Sequence, residues 1–157
     1  MKKKTISIAL CCLLTTSLFA RINETAEQCI ERYGKPKKIL EETKSVLFTR
    51  AGFVIVIDFY DGKSDQILFR KIATDEFGLP EELSTNEIEL LLQANSGGGI
   101  WEKQEELSID QKWLLDDLSR YAQYQPSERI LIIATDEYIE RAQKNKKEEE
   151  SSRLESF

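Results

Sequence analysis

The chain has 157 residues, with 22 Lys and Arg, 28 Asp and Glu, and no His. The absence of imidazole excludes a Ser/His/Asp triad and a histidine metal site. The chemistry that remains is that of carboxylate, Lys, Tyr and Ser side chains.

Residues 1–20 have the pattern of an export signal peptide. Three lysines at positions 2–4 precede an apolar run, and Ala20 stands before a polar residue. The run is shorter than the roughly 20 residues that a membrane-spanning helix needs, which favours cleavage over anchoring. We expect cleavage after Ala20, with cleavage after Ser17 as the alternative. Because Leu10 precedes Cys11, the pattern does not suit a lipoprotein signal. The sequence thus predicts an exported protein, periplasmic or secreted, with membrane contact only through the signal peptide.

Residues 21–157 carry 19 basic and 28 acidic side chains, a net charge of −9. An acidic surface repels nucleic acid and anionic lipid, so neither is expected as a partner. Only Cys29 remains after cleavage, which excludes an internal disulfide and a structural zinc site. About 137 residues suit one compact domain, residues 21–143, with residues 144–157 as a tail.

Unit one, residues 23–73, begins with a helix. Thr25 and Gln28 form a capping-box pattern. The apolar face that follows carries Ala26, Cys29, Ile30 and Tyr33. We interpret Cys29 as a buried, unreactive core residue. Gly34 is placed to end the helix.

Strands are predicted at 44–50, 53–60 and 66–72. A two-residue Asp61-Gly62 loop would pair Asp58 with Asp65. A three-residue loop, 60–62, pairs Ile55 with Ile67 instead and is preferred, since facing like charges are unfavourable. One sheet face then carries five apolar side chains that suit the Cys29 helix: Phe53, Ile55, Ile57, Ile67 and Phe69.

Unit two, residues 83–143, repeats this plan. Ser84 and Glu87 form a second capping box, and Ile88, Leu91 and Leu92 form the apolar stripe of the helix. Strands are predicted at 100–104, 112–115, 120–125 and 129–135, the last resembling a central strand. A final helix is expected near residue 136. Residues 144–157 are charged and lack an apolar face, so they are expected to fray or be disordered.

Residues 25–36 have the form T-x-x-Q-x-x-x-x-Y-G-K-P and are followed by a strand and a D-G turn. In this they resemble the small α/β repeat of outer-membrane assembly lipoproteins of the SmpA/OmlA type and of the β-lactamase inhibitor protein fold. The resemblance covers residues 23–72. It implies an exported, non-catalytic protein that works through a sheet surface.

Two groups of residues resemble ligand sites but fit other roles better. Gly97-Gly98-Gly99 lacks the context of a phosphate loop, and Asp58, Asp61 and Asp65 suit turn chemistry better than a calcium loop. The remaining candidates are aromatic residues that pack in the core or anchor a partner: Trp101, Trp113, Tyr121 and Tyr124.

The sequence therefore predicts an α+β fold, in which two helix-plus-antiparallel-sheet units form one domain with a C-terminal helix. The predicted function is a non-catalytic binding or bacterial envelope-associated module with a protein partner, and with no catalytic residue, metal or cofactor. The alternative is a small exported enzyme that uses Asp or Glu with Tyr or Lys in a cleft between the units. An enzyme should show two acids with raised pKa values converging in a pocket, whereas a binding module should show an exposed apolar sheet face.

Overall fold

The computed structural model describes residues 21–41, 43–105 and 107–155. The predicted signal peptide, residues 1–20, lies outside this part. Three helices and eight strands form an α+β fold. In chain order they are α1 (Ala26–Tyr33), β1 (Lys38–Leu40), β2 (Ser45–Arg50), β3 (Phe53–Tyr60), β4 (Lys63–Lys71), α2 (Thr85–Ala94), β5 (Trp101–Gln104), β6 (Gln111–Leu115), β7 (Arg120–Gln125), β8 (Ile130–Thr135) and α3 (Asp136–Glu155).

The eight strands form one antiparallel sheet in the order β1-β2-β3-β4-β8-β7-β6-β5. Each predicted unit contributes one helix followed by four strands, and the last strands of the two units, β4 and β8, pair in the middle. Ile67 of β4 lies opposite Ile133 of β8, and both side chains are fully buried. The prediction of a central strand at 129–135 is therefore confirmed.

One face of the sheet packs against α1 and α2, and a single core joins both units. Side chains from six strands supply it, and alternate positions along each strand face the helices. The largest fully buried ones are Phe48, Phe69, Ile57, Ile67, Leu115, Leu131 and Ile133.

Both predicted capping boxes are present. Thr25 Oγ1 accepts from Gln28 N while Gln28 Oε1 accepts from Thr25 N, and Ser84 and Glu87 pair in the same way. Such boxes satisfy backbone amides that a helix start leaves without partners. Cys29 is buried as predicted.

The apolar stripe of α2 is buried as predicted, at Ile88, Leu91 and Leu92. In α1 the prediction was only partly correct. Tyr33 is buried beside Phe48, with ring centroids 5.3 Å apart, whereas Ile30 is 45% exposed.

The predicted register of the β3–β4 hairpin was wrong, although the predicted face was correct. Tyr60 pairs with Lys63 across a two-residue turn, and a bulge next to Asp58 then shifts the ladder. Ile55 lies opposite Phe69, not Ile67. The bulge inserts one residue, Asp65, so the apolar side chains keep their common face without placing two aspartates opposite each other.

Two further differences concern short or charged segments. Strand β1 was not predicted, because three residues are too few to show alternation. Of the tail expected to fray or be disordered, residues 144–155 are helical in the structure, since α3 continues through Glu155. Its composition explains the helix: Glu, Lys, Arg and Gln are good helix formers, and Lys144 and Glu148 stand four residues apart as an ion pair.

Candidate functional site

The four aromatic residues singled out above do not form one surface patch. Trp113 and Tyr124 belong to the core, at 8% and 4% exposure, and Trp101 packs against it. Tyr121 is paired with Leu114 and faces the opposite side of the sheet, because adjacent positions on a strand alternate. The burial of Trp113 and Tyr124 therefore favours the packing alternative for these two residues.

Trp101 and Trp113 do meet at one cleft, between α2 and the strands β5 and β6. The cleft has a volume of about 390 Å³ and is open to solvent. The Trp101 indole Nε1–H donates to Leu92 O over 2.6 Å, which holds the ring against α2. The Lys103 ammonium lies 5.6 Å from the centre of the Trp113 ring. These contacts indicate that both tryptophans pack at the edge of the core.

The face of the sheet opposite α1 and α2 carries an apolar area that sequence reasoning missed. Leu47, Val56, Leu68 and Ile132 lie opposite one another in a row across β2, β3, β4 and β8. All four are half-buried. Two half-buried side chains extend the row, and we call the set of six the sheet patch: Leu47, Val54, Val56, Leu68, Ile130 and Ile132.

Polar residues bound the sheet patch. Continuing across the sheet, the row passes from Ile132 to Gln123 of β7 and Lys112 of β6. On another side, the Gln66 amide donates to Asp58 over 2.8 Å. An apolar area with a polar border is typical of interaction sites.

A sequence signal for the sheet patch was present. Residues 53–57 and 130–134 are continuous apolar runs, whereas a strand with one solvated face alternates between apolar and polar residues. The two runs therefore indicate that β3 and β8 carry apolar side chains on both faces.

Helix α3 covers only one end of this open face. Thr135 Oγ1 accepts from Tyr138 N over 3.1 Å at the start of the helix, and Arg141 forms an ion pair with Asp65. Beyond Arg141 the described side chains of α3, at 142–154, are all exposed. The helix therefore leaves the sheet after about its first two turns.

Asp65 and Arg141 line a second cleft, of about 300 Å³, between the two units. The guanidinium of Arg141 also stacks on the Tyr60 ring, 3.7 Å from its centre. Burial raises the pKa of the Asp65 carboxyl above its ordinary value, and attraction to Arg141 offsets only part of this effect. This cleft holds one acid with a raised pKa, and that acid is paired with a cation.

The geometry gives little support for metal binding, thiol chemistry or phosphate binding at the glycine run. Within residues 21–41, 43–105 and 107–155 no group of three or more His, Cys, Asp or Glu side chains is arranged to hold a metal ion. Burial raises the pKa of the Cys29 thiol to about 12, so the reactive thiolate is scarce at neutral pH. Gly97 lies against the Arg120 guanidinium and not at the start of a helix.

Comparisons with known proteins add little. Neither a protein-family model nor a curated protein matches this chain. Among the helices described, none is long and apolar enough to cross a membrane. The chain is similar in structure to a cysteine-rich secretory protein from Staphylococcus aureus subsp. aureus Mu50, with 12% sequence identity and a TM-score of 0.41. The match covers 75% of this chain and 44% of that protein.

Proposed function

We propose that this protein is an exported, non-catalytic binding module that holds a protein partner through the open face of its sheet. The observation that carries the proposal is the sheet patch. Six apolar side chains on four adjacent strands, with a polar border, form the exposed apolar sheet face expected of a binding module.

The burial of the patch favours this function over a purely structural role. Each of the six side chains is half-buried, so a partner that covers them would remove further apolar area from water. Each square ångström of apolar surface removed contributes roughly 25 cal/mol. Neighbouring strands hold these side chains in place, so little conformational entropy would be lost when a partner binds.

Export is supported by the signal-peptide pattern of residues 1–20. The resemblance of residues 23–72 to the SmpA/OmlA-type and β-lactamase-inhibitor-type repeat also implies an exported protein that works through a sheet surface. The acidic balance of residues 21–157 favours a protein partner over nucleic acid or anionic lipid.

The test replaces two patch residues by threonine, a β-branched residue that is favourable in strands but carries a polar hydroxyl. The immobilised Val56→Thr, Leu68→Thr double variant should capture its partner from envelope extracts at least about fivefold less than the unchanged protein. Gln104→Thr is the matched control, because Gln104 lies in the same row of the open face but outside the patch. Equal capture by a folded double variant would contradict the proposal.

The alternative function is an enzyme that uses a carboxylate with Tyr or Lys between the units. The observation that favours it is Asp65, an acid with a raised pKa in a cleft that Tyr60 and Lys63 also line. The pairing of Asp65 with Arg141 weighs against it, because the ion pair accounts for the position of both side chains. A substrate that the unchanged protein turns over and that folded Asp65→Asn does not would establish the enzyme instead.

A further inference from the structure

Three chain connections lie at one end of the sheet, beside the last residues of β4, β5 and β7, and the β2–β3 turn at 51–52 lies at the same end. We call the three connections the loop end: residues 72–83, residues 105 and 107–110, and residues 126–129. Hydrogen bonds join the first connection to the third and hold the second to strand β7. Arg129 Nη1 donates to Pro80 O over 2.6 Å, and Gln123 of β7 donates to Asp110 over 2.7 Å. Loops positioned in this way by a rigid scaffold are common sites of recognition.

The tip of the longest connection is a tightly hydrogen-bonded turn. Asp75 Oδ1 accepts from the backbone amides of Phe77 and Leu79, over 2.9 and 3.0 Å. Asp75 Oδ2 accepts from Arg129 over 2.6 Å. Gly78 has a φ of +75°, which glycine adopts without strain. The turn is therefore fixed in one conformation before any partner arrives.

This turn presents Phe77 to solvent. The Phe77 side chain is 78% exposed, and Leu79 beside it is 52% exposed. The loop end also exposes Ile72, Leu107 and Ile109, at 50, 113 and 73%. Apolar area left in water is unfavourable, so a partner that covers the phenyl ring and its exposed apolar neighbours would be stabilised by that burial.

Charge identifies what would cover it. The described residues of the loop end carry seven carboxylates and one basic side chain, Arg129. Three basic residues adjoin it on the strands, Arg50, Arg70 and Lys71, and Lys71 forms an ion pair with Glu81, so carboxylates still outnumber basic groups at this end. A second copy of the chain would bring two acidic surfaces together, and anionic lipid would be repelled for the same reason. A protein surface rich in Lys and Arg would be attracted.

We propose that the loop end docks a basic protein whose apolar pocket takes the Phe77 ring. The surface is distinct from the sheet patch, so it does not depend on the function proposed above. The ring supplies apolar contact at the centre of the interface, and the surrounding carboxylates supply attraction and orientation.

The test uses photo-crosslinking in cells that express the full-length chain, with benzoylphenylalanine in place of Ile109. This position lies on a neighbouring connection and so leaves Phe77 free to be varied. We expect an adduct with a second protein, attached at a peptide that contains apolar and basic residues. In extracts, raising NaCl from about 50 mM to about 500 mM should lower the adduct yield about fivefold, because salt screens exposed charges.

Phe77→Ser should reduce the adduct yield at least about fivefold without lowering the melting temperature, since the ring is exposed. Leu118→Ser is the matched control: it removes a side chain that is 65% exposed, in the β6–β7 turn at the other end of the sheet. Its adduct yield should not change. Absence of an adduct, an adduct only between copies of this chain, or a yield unaffected by Phe77→Ser would each overturn the proposal.

Discussion

Trp113 and Tyr121 lie on neighbouring strands, but their side chains face opposite sides of the sheet. Trp113 lies in the core beneath the helices, whereas Tyr121 lies on the open face and donates to Gln123 over 2.8 Å. Composition alone does not distinguish these two roles, because both residue types occur in cores and in binding sites.

Trp113→Ala should therefore destabilise the protein by about 3 to 5 kcal/mol, since it leaves a large cavity in the core. Tyr121→Ala should cost less, because Tyr121 is only partly buried on the open face. Urea denaturation of the two variants measures the difference in the free energy of unfolding. Similar midpoints would show that Trp113 does not have the core role that its burial indicates.

The pair Asp65 and Arg141 gives a prediction about pH. Arg141→Gln should raise the pKa of Asp65 further, because burial then acts without the neighbouring cation. A carboxyl whose folded pKa lies above its unfolded value favours folding below the unfolded value, near 3.8. That contribution is lost as pH rises through the folded pKa. The variant should therefore be less stable than the unchanged protein at pH 7, with a smaller difference near pH 4.

Carboxyl carbon NMR of Asp65 in both proteins measures the shift directly, and denaturation at the two pH values measures its effect on stability. Arg141→Lys should restore part of the loss, because it keeps the charge but not the planar contact with Tyr60. An Asp65 pKa that does not change in Arg141→Gln would contradict the assigned interaction.

The elements differ in how they are stabilised. Helices α1 and α2 are each stabilised by a capping box at the N-terminal end and by a buried apolar face. Helix α3 contacts the sheet near its start, and its remaining side chains have no core to pack against. Helices of this kind depend on intrinsic propensity and on side-chain pairs within the helix.

Truncation of the chain after residue 143 should accordingly leave the fold intact. We expect a change of less than about 0.5 kcal/mol in the free energy of unfolding, because the side chains at 144–154 are exposed. Helical circular dichroism should fall with the loss of the last three turns. A large loss of stability would show that residues 144–157 contact the folded part.

At the scale of the whole molecule, pairing of β4 with β8 makes the two units one sheet with one core. Loss of packing in one unit should therefore also destabilise the other unit. The two tryptophans of the chain, Trp101 and Trp113, both lie in unit two and report on it by fluorescence.

Ile55→Ala, in unit one, should destabilise the protein by about 2 to 5 kcal/mol, since Ile55 is 3% exposed in the core. Tryptophan fluorescence and circular dichroism should show the same lowered urea midpoint, as expected for one cooperative unit. Lys63→Ala, at the exposed start of β4 in the same hairpin, should change the free energy of unfolding by less than about 0.5 kcal/mol. If the urea midpoint followed by tryptophan fluorescence did not change in Ile55→Ala, the two units would unfold separately.

The sequence by itself determined the helix starts, the two-unit plan and the helix-facing side of β3 and β4. These depend on local signals: a capping box lies within four residues, and alternation is visible within one strand. The strand predicted at 120–125 matches β7, and both capping boxes are present.

Only the tertiary structure decided the hairpin register, the order of the strands and the two proposed binding surfaces. The bulge at Asp65 depends on a partner strand and on Arg141, which is 76 residues away. The sheet patch exists because β8 lies beside β4, which brings Ile132 next to Leu68. Such juxtapositions arise from contacts between distant parts of the chain, and a local pattern carries no record of which strand its neighbour will be.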